Sequence, residues 1–474
     1  LINLPISLIA VNEIFPKTKI WVWIIIIIIT LFVFFFSHII FLRIHKKDII
    51  LTILFLINIA LISYYYNARK DIFKKTEKEI ISAGYFLEPK KIFPKEYSKE
   101  KCDDWFKTLK LLTIQKWTKF YEKNIQFFLN EKYFKELLEN SKIKEDIKKI
   151  EKDPLWKEFF EINKVITEKM DFCPHLQWVE PEEYINDIYY SPVPNLFSLI
   201  RWIKILFAYA QIEKIKGNFE EEEKAIAIIE ETIKKIKIEG QIDFVLMVNQ
   251  YIEELYILNS ATSLSILKKP LPFNKEEKLK EIADGNLNYI FNGFYINFLK
   301  TYVWVKDLKF LKSKDKIHKF FISLFSYGFT KYYLESWIKI LKLKNEINVN
   351  KNKLLWKKYK SFLPKKSFFF PNFEDSYLKF MILLTQKRAL LISNEIIKYF
   401  EKEKKLPEKI DFIKTELRID PFSEKDFIYL KESNKKFMVY SVRPDGINDG
   451  GKNLYIIGNY HEKLKQDIGF CFSF

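Results

Sequence analysis

Between Asp420 and Asp467 the chain gathers the residues best suited to chemistry. The stretch reads Asp420-Pro421-Phe422, then Tyr440-Ser441-Val442-Arg443-Pro444-Asp445-Gly446, then Asn448-Asp449-Gly450-Gly451, and closes on Asp467-Ile468. Glycine is scarce, with 11 in 474 residues, so this crowding of Gly, Asp and Pro marks a tight loop. Carboxylates packed into such a loop can hold a cation. The competing reading is turn chemistry alone, because Pro-Asp-Gly and Asp-Gly form turns whatever they bind.

No other constellation points to a reaction. There is no Gly-x-x-x-x-Gly-Lys-Ser or Gly-x-Gly-x-x-Gly phosphate loop and no Gly-x-Ser-x-Gly elbow. His38, His45, His175, His318 and His461 are scattered, none with a partner at metal-binding spacing on one helix. Cys102, Cys173 and Cys471 give an odd count without Cys-x-x-Cys spacing, hence no disulfide framework. A Cys102–Cys173 bridge is compatible with a domain outside the cytoplasm. Cys173-Pro174-His175 is a weak metal pair and reads better as a buried thiol beside a turn. The chain is therefore expected not to be an enzyme. The enzymatic alternative needs a site assembled from distant Glu, Asp or His residues.

The elements that position the loop are mostly helices. Hydrophobic residues make up 48% of the chain, with 45 Phe and 26 Tyr, enough for a sizeable core and biased toward helix by the lack of glycine. From about Trp105 to Asn394 the helical period recurs. Phe106, Leu109, Leu112, Ile114, Trp117, Phe120 and Tyr121 form one stripe. Asp153-Pro154 is an N-cap with a first-turn proline. Leu196 to Ile215, a Lys216-Gly217-Asn218 turn and a return helix from Glu220 to Ile238 make one hairpin of tetratricopeptide type, without a second copy at fixed period. Further helices are expected over Gln241–Leu267, Lys275–Asp307 and Lys316–Glu346. One long helix, Ser376–Lys405, then leads through Leu406-Pro407 and a short helix or loop, Glu408–Leu417. Strands are expected at Phe427–Lys431, Lys436–Val442 and Leu454–Ile457.

The N-terminus carries two uncharged runs, Ile20–Leu42 with 23 residues and Ile49–Tyr66 with 18. The first is long enough to cross a hydrocarbon core and the second is at the short limit. Trp21, Trp23, Tyr64, Tyr65 and Tyr66 suit interfacial belts. A transmembrane hairpin turning at Arg43–Asp48 is expected, and a buried core hairpin is the alternative. The chain opens on Leu1 rather than Met, which leaves room for an N-terminal portion beyond it. A positive-inside count slightly favours a cytoplasmic C-terminal region, although the lysine-rich background weakens that rule.

The formal charge of +18 suggests nucleic acid, yet only six of the 79 basic residues are Arg: 43, 69, 201, 388, 418 and 443. Arginine is the residue of bidentate phosphate recognition. The lysines interleave with glutamates along helices and read as solvated faces. Nucleic acid is therefore not the favoured partner.

The long helix, Leu-Pro, Asp-Pro-Phe, short hairpin, Tyr-Ser-x-x-Pro-Asp-Gly and Asp-Gly-Gly together resemble the globular end of the type II secretion major pseudopilin. More closely still, the chain resembles uncharacterised membrane-anchored bacterial proteins of planctomycete type that carry such a module. Ile81-Ser82-Ala83-Gly84 with Pro89, and Lys216-Gly217-Asn218, add to that resemblance. It implies calcium held by Asp445, Asp449 and Asp467, with a main-chain carbonyl near Ser441. Arg443 stands where the related pattern has Gly, Glu424 replaces a turn glycine, and Lys452 to Gln466 separate Gly451 from Asp467. The long helix carries Lys387, Arg388, Lys398 and Glu401 deep in the chain, unlike the apolar polymerising helix of a pilin, so no fibre is expected.

The resulting expectation is a mainly α fold in four parts. Residues 1–70 form a membrane segment with two transmembrane helices, 71–104 a linker, 105–374 a helical, solenoid-like domain, and 375–474 a pseudopilin-like helix plus small antiparallel sheet. Its function would be a non-enzymatic, membrane-anchored scaffold or partner-binding protein in the inner membrane. The large C-terminal region would be extracytoplasmic, a calcium-stabilised cap would close the chain, and the lipid bilayer and an unknown protein would be partners. The alternative is a cytoplasm-facing adaptor that binds anionic lipid or nucleic acid through lysine-rich helices.

Overall fold

The computed structural model describes residues 47–85, 99–113, 115–125, 141–172, 196–239, 243–282, 373–442, 447–452, 454 and 466–473, with isolated positions between 295 and 342. About 72% of these are helical, and a three-stranded antiparallel sheet lies at the C-terminus. The chain divides into two compact units. One holds Leu1–Leu87, Phe298–Lys342 and Phe362–Pro371; the other holds Glu88–Asn297, Leu343–Ser361 and Asn372–Phe474.

In the first unit, helix α1 spans Lys47–Ser82. Its C-terminal half buries Phe73, Thr76 and Ile80. Phe73 meets Tyr302 edge-on at 5.4 Å, and the Tyr302 hydroxyl donates to Glu77 Oε1 at 2.5 Å. That hydrogen bond, aided by Lys306, holds the Glu77 carboxyl below its usual range. Lys342 pairs with Glu79 at 2.7 Å. Among the described residues no helix is long and apolar enough to cross a membrane. The run Ile20–Leu42 lies outside them, as do the side chains of 47–55, 58, 61, 62, 65 and 66. The expected transmembrane hairpin therefore gains no support from the described residues.

The second unit starts with α2 (Lys99–Lys110), a 3-10 turn (Leu111–Thr113), α3 (Gln115–Phe120) and a π turn (Tyr121–Ile125). Of the stripe read from the sequence, Leu109, Leu112, Trp117 and Phe120 are buried and Tyr121 is half-buried, while the side chains of Phe106 and Ile114 lie outside the described residues. The helix that carries it is broken into pieces. After α4 (Ser141–Glu151), helix α5 runs from Pro154 to Phe172. It is capped as its sequence predicts, with Asp153 Oδ1 accepting from Leu155 N at 3.0 Å.

Helices α6 (Leu196–Lys216), α7 (Phe219–Glu239) and α8 (Asp243–Leu267) pack on one another. The α6–α7 turn uses Gly217 at φ 81°, with Asn218 N bonded to Glu213 O at 2.8 Å, a left-handed helix stop. Helix α9 covers only Phe273–Glu281. The single helix expected over Lys275–Asp307 stops instead at Ile282, whose backbone is extended. Lys387 Nζ donates to Lys280 O at 2.5 Å and Ile282 O at 2.6 Å, so a cation from a distant helix caps the break.

Helix α10 (Phe373–Glu403) packs along α8 and against the sheet. Where a helix or loop was expected over Glu408–Leu417, only Thr415–Arg418 forms helix α11. Strands β1 (Ile428–Ser433) and β2 (Lys436–Ser441) make the expected hairpin. The third strand differs from expectation: β3 is Ile468–Ser473, paired to β2. Leu454 is buried but not in a strand, and 455–457 lie outside the described residues. Strand β2 is central and buried on both faces from Phe437 on. Gly469 has to be glycine, because a Cβ there would lie 2.1 Å from Val439 O.

Candidate functional site

Asp449 and Asp467 come together, Ser441 lies on the neighbouring strand end with its side chain turned to Asp420, and Asp445 lies outside the described residues. Antiparallel pairing sets Ser441 opposite Ile468, which returns Asp467 to the loop despite the long excursion from Gly451. Asp467 is fully buried. Its Oδ2 accepts from Asp449 N at 3.1 Å and from Gly451 N at 3.0 Å. Gly450 and Gly451 both take positive φ, 73° and 68°, which lets the amides of Asp449 and Gly451 point toward one carboxylate. Asn448 Oδ1 accepts from Gly450 N at 2.8 Å and Tyr440 OH at 3.2 Å. Asp467 thus clasps the turn by its backbone. Asp467→Ala is expected to cost about 1–3 kcal/mol, the penalty for leaving amide donors without an acceptor. Faster hydrogen exchange at Asp449 and Gly451 would report it; unchanged protection at both would refute the clasp.

Ser441 faces a different carboxylate. Its Oγ donates to Asp420 Oδ1 at 2.6 Å and lies 2.9 Å from Val442 O. Asp420 is fully buried and also accepts from Phe422 N at 3.0 Å and Ser423 N at 3.1 Å. Burial raises its carboxyl above the usual range, against the pull of these donors. Asp420-Pro421-Phe422 is thereby a turn lock between α11 and β1, tied to the sheet through Ser441. Among the described residues, no three of His, Cys, Asp and Glu stand close enough to hold a metal.

The densest polar chemistry lies elsewhere, in positions that the sequence reading did not single out. Lys214 on α6 is fully buried, as is Glu222 on α7, with Nζ and Oε1 3.1 Å apart. Lys214 Nζ also donates to Asn259 O (2.8 Å), Asn259 Oδ1 (2.7 Å) and Thr262 Oγ1 (3.1 Å) on α8. Gln211 Nε2 reaches Asn259 Oδ1 at 2.6 Å, and Asn259 Nδ2 donates to Glu222 Oε1 at 3.2 Å. Lys275 from α9 adds a second cation to Glu222 at 3.1 Å. Burial pushes the Lys214 amine down to about 7, with Glu222 pulling the other way. Burial also acts to raise Glu222, but Lys214 and Lys275 outweigh it and leave the carboxyl below its usual range.

A similar node joins α9 to α10. Glu276 is met by Lys280 at 2.9 Å, Lys398 at 2.7 Å and Asn394 Nδ2 at 3.0 Å, and Asn394 Oδ1 accepts from Leu271 N at 2.8 Å. Each node joins three or more chain segments through saturated polar groups, a mark of a network that fixes one packing arrangement.

No family model, curated protein or solved structure matches the chain. The functional reading therefore rests on these residues and on the surface that carries them.

Proposed function

We propose that the chain is a non-enzymatic, membrane-anchored scaffold whose helical body presents a partner-binding surface. One observation carries the anchor. Leu56, Ile57, Ile59 and Tyr64 on α1 are 57, 50, 46 and 66% exposed. At 3.6 residues per turn they share one side of the helix with Ala60 and Ser63, which are also exposed. The same side continues as exposed Lys70, Asp71, Lys74, Lys75 and Lys78. One helix face thus changes from apolar to charged within about a turn and a half, at a tyrosine. In water that apolar stretch is a liability; at a bilayer it is a lipid contact ending in an interfacial belt.

Nitroxide labels at Ile57→Cys and Lys75→Cys in vesicle-reconstituted full chain test this. Position 57 is expected to be relaxed by oxygen and shielded from a water-soluble relaxer, with the reverse at 75. Equal aqueous exposure at both would remove the anchor. Placement of the large region outside the cytoplasm belongs to the same proposal, and its protection from external protease in right-side-out vesicles would reverse that placement.

The adaptor reading, with anionic lipid or nucleic acid on lysine-rich helices, has less support. Lys149, Lys224, Lys234, Lys280 and Lys398 each face a carboxylate three or four residues away, which spends much of their field locally. The C-terminal module is proposed as a docking cap closed by its own residues. A calcium shell needs about six to eight oxygens, whereas Asp467 Oδ2 is committed to two amides. Added calcium is expected to leave the unfolding midpoint unchanged. A rise of several degrees, lost in Asp449→Ala, would restore the cation.

A further inference from the structure

Lys204 on α6 is surrounded differently from Lys214, ten residues on. Lys214 is saturated by oxygen acceptors. Lys204 is half-buried and, among the described residues, has no hydrogen bond or ion pair. Its Nζ instead lies 5.3 Å from the ring centroid of Tyr121 and 4.9 Å from that of Tyr251. Arg201, three residues earlier on the same helix, sets its guanidinium 5.9 Å from the Tyr121 ring and anchors Nη1 on Leu112 O at 2.8 Å. The cluster thus joins α6, α8 and the π turn that Tyr121 opens, a backbone irregularity common at functional sites.

Two cations share this half-buried spot. Burial, with Arg201 second, pushes the Lys204 amine down to about 8. Burial also holds Tyr121 up at about 12 and Tyr251 well above its usual value, so both phenols stay protonated and able to donate. Ring faces attract a cation but take none of its three N–H donors as a carboxylate would. A half-buried ammonium near a guanidinium, with aromatic walls, can hold an oxyanion of the size and charge of phosphate.

We propose that Lys204, Arg201, Tyr121 and Tyr251 form a binding site for a phosphate group, carried either by a soluble small molecule or by a phospholipid headgroup. Lys204 supplies the direct ammonium contact, Arg201 the supporting field, and the two phenols hydrogen bonds and walls. The site stands apart from the C-terminal loop and does not depend on the anchor.

The test is acylation of the full chain in neutral detergent by an amine-reactive ester, read by mass spectrometry at Lys204 against exposed Lys74. Inorganic phosphate at ten times its dissociation constant is expected to slow Lys204 acylation about tenfold and leave Lys74 unchanged. Calorimetry is expected to find phosphate binding lost in Lys204→Met, largely kept in Lys204→Arg, and weakened severalfold in Tyr251→Phe. Protection by dihexanoyl phosphatidic acid at concentrations where inorganic phosphate has no effect assigns the site to a lipid headgroup; the reverse order assigns it to a soluble phosphate. Lys204 acylation unaltered by either probe, or phosphate binding unaltered in a folded Lys204→Met variant, would overturn the site.

Discussion

Glu222→Ala is expected to loosen the α6–α8 unit by about 3–5 kcal/mol, the cost of stranding a buried charge. Lys214 would keep its neutral acceptors on Asn259 and Thr262 but lose the only carboxylate within ion-pair distance among the described residues. Lys214→Met should cost less, because Lys275 and Asn259 still face Glu222. The double variant should be more stable than Glu222→Ala alone, since it removes the stranded ammonium. In a chain of two units a single unfolding free energy is ill-defined. The proper reading is therefore hydrogen exchange at amides of α6, α7 and α8. A Glu222→Ala chain whose protection there falls by less than tenfold would show that the network does not hold the unit.

The pH dependence of that unit follows from the same groups. Lys214 titrates near 7 when folded because it is buried, against about 10.4 for an unfolded lysine. Between those values the unfolded chain binds more protons, so the Lys214 contribution to stability grows as pH rises from about 7 to about 10. Glu222 acts at the other end. Its folded carboxyl is held low, so its stabilisation is complete above about pH 5 and is lost as pH falls. Lys214→Met should flatten the alkaline limb and also weaken the acid limb, because Lys275 alone then opposes the burial of Glu222.

Asp420→Ala is the second large effect, about 2–4 kcal/mol, localised to the C-terminal module. It leaves Phe422 N, Ser423 N and Ser441 Oγ without their acceptor. Asp420→Asn should cost nearer 1 kcal/mol, because an amide oxygen in place of Oδ1 still serves Phe422 N and Ser441 Oγ while only the Ser423 contact is lost. The raised carboxyl of Asp420 means that the folded module holds this proton to higher pH than the unfolded chain does. Its contribution therefore falls as pH rises above about 4, and the Asn variant should lack that slope. Exchange rates along β2 separate the cases: equal protection in the Ala and Asn variants would show that the lock is idle.

Local signals were legible wherever one residue's conformation or one short pattern decides the outcome. Asp153-Pro154 starts α5, Gly217 ends α6, Leu109, Leu112, Trp117 and Phe120 of the expected stripe are buried, and Lys436–Val442 contains β2. Each rests on capping, positive φ or periodicity, all written within a few residues. Strand β3 was missed because Ile468–Ser473 carries no turn signal of its own; its identity comes from pairing with β2 across the chain. Aspartates could be seen to crowd the C-terminal loop, but not that Asp467 clasps it or that Ser441 turns to Asp420.

The lysines show the same division. By pattern Lys214, Lys379 and Lys387 belong to a solvated background, yet all three are buried. Lys214 is matched by Glu222 one helix away, Lys379 by Glu254, and Lys387 by the carbonyls that end α9. The sequence by itself determined a helix-rich chain, its hairpin turn, its β1–β2 ribbon and an apolar N-terminal run, because those depend on local backbone preference and on hydrophobic period. Only the tertiary structure decided which charges are buried, where the long helices break and which carboxylate serves which turn. Burying an ion is tolerable only when a partner from a distant segment arrives to meet it, and no local window of sequence contains that partner.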